Sequence, residues 1–189
     1  MLVGYNFAMH SLWHGGALVT ALGAFVSVAG HSVVLWNGEG GGGHAWLESY
    51  CGESSPRLSN SCLLETTDAG PVTERVLTTP FQIAALRAIV SAWDPDWGVA
   101  MSHAHRDIIE PKCPDVLVGW VTYLSRRQGR VPPLPAPVRI ELVDDKGALV
   151  ILTPERFTAS NPEHVALAER VRELLDRAGV LKKAQPPGE

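Results

Sequence analysis

The sequence predicts an α+β fold: a single domain with a mostly antiparallel sheet, packed with a few helices that include a well-capped C-terminal helix. Three observations carry this. Short apolar runs bounded by turn residues recur along the chain, and two segments show helical spacing behind good N-terminal caps. The helices also do not alternate regularly with the strands, which disfavours a doubly wound parallel sheet. At 189 residues, 46% hydrophobic and 19% charged, the chain suits one core and lacks the composition of a disordered protein. The domain is read as residues 1–184. Within it, 1–32 is an apolar N-terminal segment whose role the residues leave open, and 185–189 is a frayed tail.

In chain order, no Lys, Arg, Asp or Glu precedes Glu39, and residues 17–30 are apolar or small throughout. A signal peptide would carry a positive n-region, and a membrane span needs about 20 apolar residues. A buried helix with Gly15, Gly16 and Gly23 near or inside it is the expectation. Residues 33–36 read as a strand and 38–43 as a flexible glycine loop. That run is no phosphate loop, because no Gly-Lys-Ser/Thr follows and Glu39 would repel phosphate. Residues 45–51 and 62–65 read as strands flanking a Ser/Pro/Asn stretch.

Thr79-Pro80-Phe81-Gln82 opens a helix, with Thr79 as cap, Pro80 at the first helical position and Gln82 completing a capping box. Ile83, Leu86, Val90 and Trp93 recur at helical spacing and alanines fill other faces, so this helix is expected to be largely buried. Trp93-Asp94-Pro95-Asp96-Trp97-Gly98 ends it, since Pro95 cannot continue a helix and pushes Asp94 out of the α region. Residues 97–102 and 116–124 read as strands with a short helix or loop between. A basic stretch then leads into prolines 132, 133, 135 and 137, a stiff connection. Residues 138–143 and 148–152 read as a hairpin around Asp144-Asp145-Lys146-Gly147. Asn161-Pro162 caps the last helix, whose stripe is Leu167, Val171, Leu174, Leu175 and Ala178; Glu173 and Arg177 form an exposed pair, and Gly179 sits at the left-handed cap.

Composition narrows the function classes. A formal charge of −4 disfavours direct nucleic-acid binding, which needs a concentrated basic face. Cys51, Cys62 and Cys113 are too few and odd in number for a secreted disulfide framework, so a reduced, cytoplasmic setting is expected. The spacing of Cys51 and Cys62 allows them to face each other on neighbouring strands without showing a bond. Templates for a serine nucleophile, a dinucleotide site and a Cys-x-x-Cys centre are absent, and Cys113 has no activating His in a recognisable motif.

Two places remain as candidate sites. His103-Ala104-His105-Arg106-Asp107 would start a hydrolase metal site if it lay at a strand end, because alternate strand positions aim both imidazoles one way. A third and fourth ligand are missing from the pattern, so loop histidines with a capping Asp are the competing reading. In Trp93–Gly98 the tryptophans serve either as core or as a partner-facing knob, and the acids either cap a turn or complement a basic partner.

Read together, Trp36-Asn37-Gly38, Trp93-Asp94-Pro95-Asp96-Trp97-Gly98, Gly119-Trp120-Val121-Thr122-Tyr123-Leu124-Ser125 and the block from Leu134-Pro135-Ala136-Pro137 through Thr153 and His164 to Leu175 resemble the bacterial immunity protein 52 family. The resemblance spans residues 34–181 in scattered motifs, without a catalytic signature. It implies a non-enzymatic antidote of polymorphic toxin systems, including those delivered by type VI secretion. The implied partner is a cognate toxin with a restriction-endonuclease-like nuclease domain, with no cofactor, no membrane and no direct nucleic-acid contact. The family offers no binding motif to transfer residue by residue. The candidate partner-binding residues are therefore Trp93, Asp94, Asp96, Trp97, His103, His105, Asp107, Asp144 and Asp145, because acids and aromatics suit a basic, DNA-holding surface. Glu39 is a further acid of this kind. Trp46, Trp97, Trp120 and Tyr123 are either anchors or core.

Overall fold

A computed structural model describes residues 5–11, 31–38, 43, 45–51, 60–66, 73–109 and 116–181. The expected helix over 17–30, Glu39 with most of its glycine loop, Cys113 and the tail lie outside the described residues. Strands β1 (Tyr5–Ser11), β2 (His31–Trp36), β3 (Ala45–Cys51) and β4 (Asn60–Thr66) precede a one-turn helix α1 (Thr73–Val76) and the helix α2 (Thr79–Trp93). Then come β5 (Trp97–Ser102), α3 (His103–Ile109), β6 (Val121–Ser125), β7 (Arg139–Val143), β8 (Gly147–Ile151) and α4 (Pro162–Arg177). The strands form a single sheet in the order β2-β3-β4-β1-β5-β6-β8-β7, antiparallel at every pairing. This is the α+β architecture expected.

The sheet is not uniform along its width. On β5, β6 and β8 both faces are buried: Val99, Ala100, Val121, Tyr123, Leu149 and Val150 are inaccessible to solvent. Strands buried on both faces read as continuous apolar runs rather than alternating ones, as these do. Helix α2 lies over the face that carries Tyr123 and Glu141, with Arg87 bonded to the Glu141 carboxylate at 2.9 Å. Helix α4 adds Ala168, Val171 and Leu175 to the same core, and Phe157 fills the space before it. At the β2 edge, by contrast, Val33, Val34 and Leu35 are all exposed, as is Trp46 on β3.

Several local expectations are corrected. Thr78, one residue earlier than expected, caps α2: its Oγ1 accepts from the Phe81 N–H. Gln82 does not close a capping box; its amide donates to the Val76 carbonyl at 2.7 Å, and Thr79 donates to the carbonyls of Thr153 and Pro154. Helix α2 is buried along Thr79, Gln82, Leu86 and Val90 only, and Trp93 is 37% exposed. Its small Ala84 and Ala88 face solvent, because one sheet covers only one side of a helix. Ala178, assigned to the α4 stripe, is exposed.

The strand expected over 116–124 begins only at Val121, although 116–120 is buried. Here the chain passes β5 so closely that a Cβ on Gly119 would sit 2.6 Å from the Ala100 carbonyl oxygen. The Gly119 N–H then turns to the Thr122 hydroxyl instead of continuing a ladder. Strand β1, a central strand between β4 and β5, was not expected from the sequence. Cys62 pairs in register with Ser49, not Cys51, and is a free buried thiol pushed up to about 11 by burial.

Candidate functional site

The Trp93–Gly98 segment becomes a clasp at the end of α2. Asp94 adopts the left-handed conformation (φ 45°) and its N–H caps the Val90 carbonyl. Arg127, in the 3-10 turn Arg126–Gln128, reaches back across the sheet end. Its Nε donates to Asp96 at 2.8 Å, while its terminal nitrogens donate to the Asp94 carboxylate at 3.1 Å and the Asp94 carbonyl at 2.8 Å. Burial would lower the Arg127 pKa, but its hydrogen bonds to Asp96 and Asp94 raise it overall. Lys146 completes the clasp by donating to the carbonyls of Val90 and Ser91, where a cation also complements the helix C-terminus. The Tyr123 hydroxyl lies buried beneath, pushed up to about 12 by burial with the charge of Asp94 adding.

The clasp divides the expected partner residues. Trp93 and Asp94 remain at the surface. Asp96 (4% exposed) and Trp97 (3%) lie beneath it. Asp96 is the buried anchor of Arg127, and Trp97 belongs to the core. Trp120 and Tyr123 are core as well, and the Trp120 indole donates to the Thr153 carbonyl.

The His103–Asp107 group also separates. These residues open helix α3 rather than ending a strand, and positions two apart on a helix point roughly 200° apart. His103 bonds Glu65 at 3.2 Å, whereas Asp107 projects to solvent beside Arg106. His105 is fully buried, packed against Phe157 with ring centroids 4.6 Å apart and planes tilted by 35°, with neither ring nitrogen hydrogen-bonded. Burial lowers its pKa to about 4, against a smaller opposing pull from Glu169. An imidazole so placed resists protonation. Among the described residues no three His, Cys, Asp or Glu side chains converge as metal ligands.

Phe157 in turn packs at 5.2 Å on His164, whose Nδ1 accepts from the Thr158 N–H. Asn161 caps α4 through the Glu163 N–H. The motif residues from Thr153 to His164 thus fasten α4 to the end of β8.

The remaining acids lie at the tip of the β7–β8 hairpin, a three-residue loop in which Val143 pairs with Gly147 and the Lys146 N–H returns to the Val143 carbonyl. Asp144 has φ 46°, and it and Asp145 are exposed without an ion pair among the described residues. Gly147 is required for space: a Cβ there would meet the Leu124 carbonyl oxygen at 2.2 Å. Beside this hairpin lies a groove of about 1030 Å³ with an apolar floor that includes Ile140 and Leu142, the latter 75% exposed. Residue-by-residue reading of the sequence did not find this groove. Its signal was the prolines 132 and 133 facing a strand with apolar residues at alternate positions, Ile140 and Leu142.

A family profile described as immunity protein 52 matches residues 19–184. The chain belongs to the immunity protein 52 family. Most of the chain is covered, including every clasp and hairpin residue named above. Family membership makes it an immunity protein. No curated protein matches the chain. None of the helices among the described residues is long and apolar enough to cross a membrane.

Proposed function

We propose that this immunity protein acts by binding one cognate toxin directly, that the toxin carries a restriction-endonuclease-like nuclease domain, and that binding blocks it in the cytoplasm of the producing cell. Type VI secretion is the delivery route that fits, and the antidote itself performs no catalysis. The observation that carries the reading is the family match over residues 19–184. The site geometry supports it: Asp96, Trp97 and His105 are tied into packing, while an apolar groove with charged rims stands open. That is the anatomy of an interface core surrounded by a polar rim.

The test is a pull-down of tagged protein from its native host, with mass spectrometry and a metal assay on one eluate. The expected result is stoichiometric recovery of a single nuclease-domain protein without metal, and rescue of cells in which that protein is expressed. A toxin that kills equally well with and without co-expressed immunity protein ends this reading.

A further inference from the structure

We infer that the groove between the β7–β8 hairpin and the segment over 129–133 is the surface that seats the toxin. Its occupant is an amphipathic element of the toxin, with apolar side chains for the floor and a basic side chain for Asp144 and Asp145. This rests on the toxin-binding reading above and adds the place and the chemistry.

The floor combines Leu124 and Ala148 with the exposed Ile140 and Leu142, and the opposite wall is Val131 with Pro132 and Pro133. Exposed apolar side chains gathered in one concave place, rather than scattered, mark binding surfaces. Both walls are fastened in advance. The Arg126 N–H bonds the Lys146 carbonyl at 2.7 Å, the Gly129 N–H bonds the Arg126 carbonyl, and Val131 packs on the core. A preformed groove avoids much of the ordering cost of association.

Charge identifies the occupant. Of the described candidate acids, Asp94 and Asp96 are already paired with Arg127, Asp94 also lies within 4.0 Å of Lys146, and Asp107 lies 3.7 Å from Arg106. Asp144 and Asp145 line the groove with no such partner among the described residues. Arg126 and Arg130 lie on the facing loop, so the rim carries both signs and orients what it binds. Val33 to Leu35 on the β2 edge are also exposed, but that strand carries no Asp, Glu, Lys or Arg, and the residue paired with Val34 on β3 is the single acid Glu48.

The experiment measures binding of the toxin domain recovered in the pull-down, in inactivated form, to the full chain and three variants. Leu142→Asp is expected to weaken binding about 100-fold or more, as loss of a central anchor does. Asp144→Lys/Asp145→Lys is expected to slow association about 10-fold and to flatten its salt dependence. Val34→Asp is expected to change affinity less than about twofold, with all three variants retaining the parent melting temperature. Parent-like binding by both groove variants, beside a tight parent complex, overturns the groove and leaves toxin binding standing. Failure of the parent chain itself to bind removes the reading beneath it. A change of oligomeric mass in Leu142→Asp alone would assign the groove to a second copy and overturn the proposed occupant.

Discussion

Two aspartate pairs look alike in the sequence and have opposite fates in the fold. Asp94/Asp96 and Asp144/Asp145 each sit in a turn, and each pair has one member with a left-handed backbone, φ 45° at Asp94 and φ 46° at Asp144. The first pair is held by Arg127, which makes three hydrogen bonds to it, and is backed by Lys146. The second stands at a hairpin tip with nothing bound to it among the described residues. The difference lies not in the acids but in what the chain returns to them, 31 to 33 residues later at Arg127 in one case. Acids committed to the fold stabilise it, whereas uncommitted acids are available to a partner.

Acid is the harshest probe of this contrast, because it tests whether the clasp or another group sets stability at low pH. The unfolded chain's imidazole takes a proton below its ordinary value of 6.5, whereas buried His105 resists until about 4. Protonation therefore favours unfolding as pH falls through that window, costing about 3 kcal/mol. Denaturant unfolding at pH 7 and pH 4 should show this loss in the parent and little of it in His105→Leu. An equal loss in both proteins would assign the acid sensitivity to groups other than His105.

Breaking the clasp directly is the next largest effect. Arg127→Ala removes the guanidinium held 2.8 Å from the Asp96 carboxylate, which is 6% exposed. The expected cost is about 2 kcal/mol, reduced by solvent because Arg127 itself is 46% exposed. Asp144→Ala/Asp145→Ala should stay within about 0.5 kcal/mol of the parent in the same urea titration. Comparable losses in the two variants would erase the distinction between committed and free acids.

The local part of the fold was legible and the non-local part was not. The ranges Ala45–Cys51, Thr79–Trp93 and Trp97–Ser102 match the expected ones, because apolar runs, a Thr-Pro start and a proline stop are local signals. Strand β1 carried its own signal in Tyr5, Phe7 and Met9, an alternating pattern masked by the wholly apolar reading of the N-terminal segment. Gly119 shortened β6 through a close approach to β5 that no window of sequence contains. The site divided the same way. That Pro95 ends α2 is local, but Arg127 reaching Asp96, and His105 sinking beneath Phe157, depend on which strands become neighbours.

The smallest effect is the sharpest, because it holds backbone conformation constant. Asp94 and Asp144 both adopt a φ that glycine tolerates without strain. Asp144→Gly relieves that strain and loses no described partner, and should leave stability within about 0.5 kcal/mol of the parent. Asp94→Gly relieves the same strain but removes the carboxylate held by Arg127, and should cost about 1 kcal/mol net. Differential scanning calorimetry of the two variants reads the gap as a difference in melting temperature. Identical shifts would mean that the Asp94 carboxylate contributes nothing and that Asp96 and the Asp94 backbone carbonyl hold Arg127. A gap favouring Asp144→Gly separates the contribution of the ion pair from that of the left-handed φ, which the two positions share.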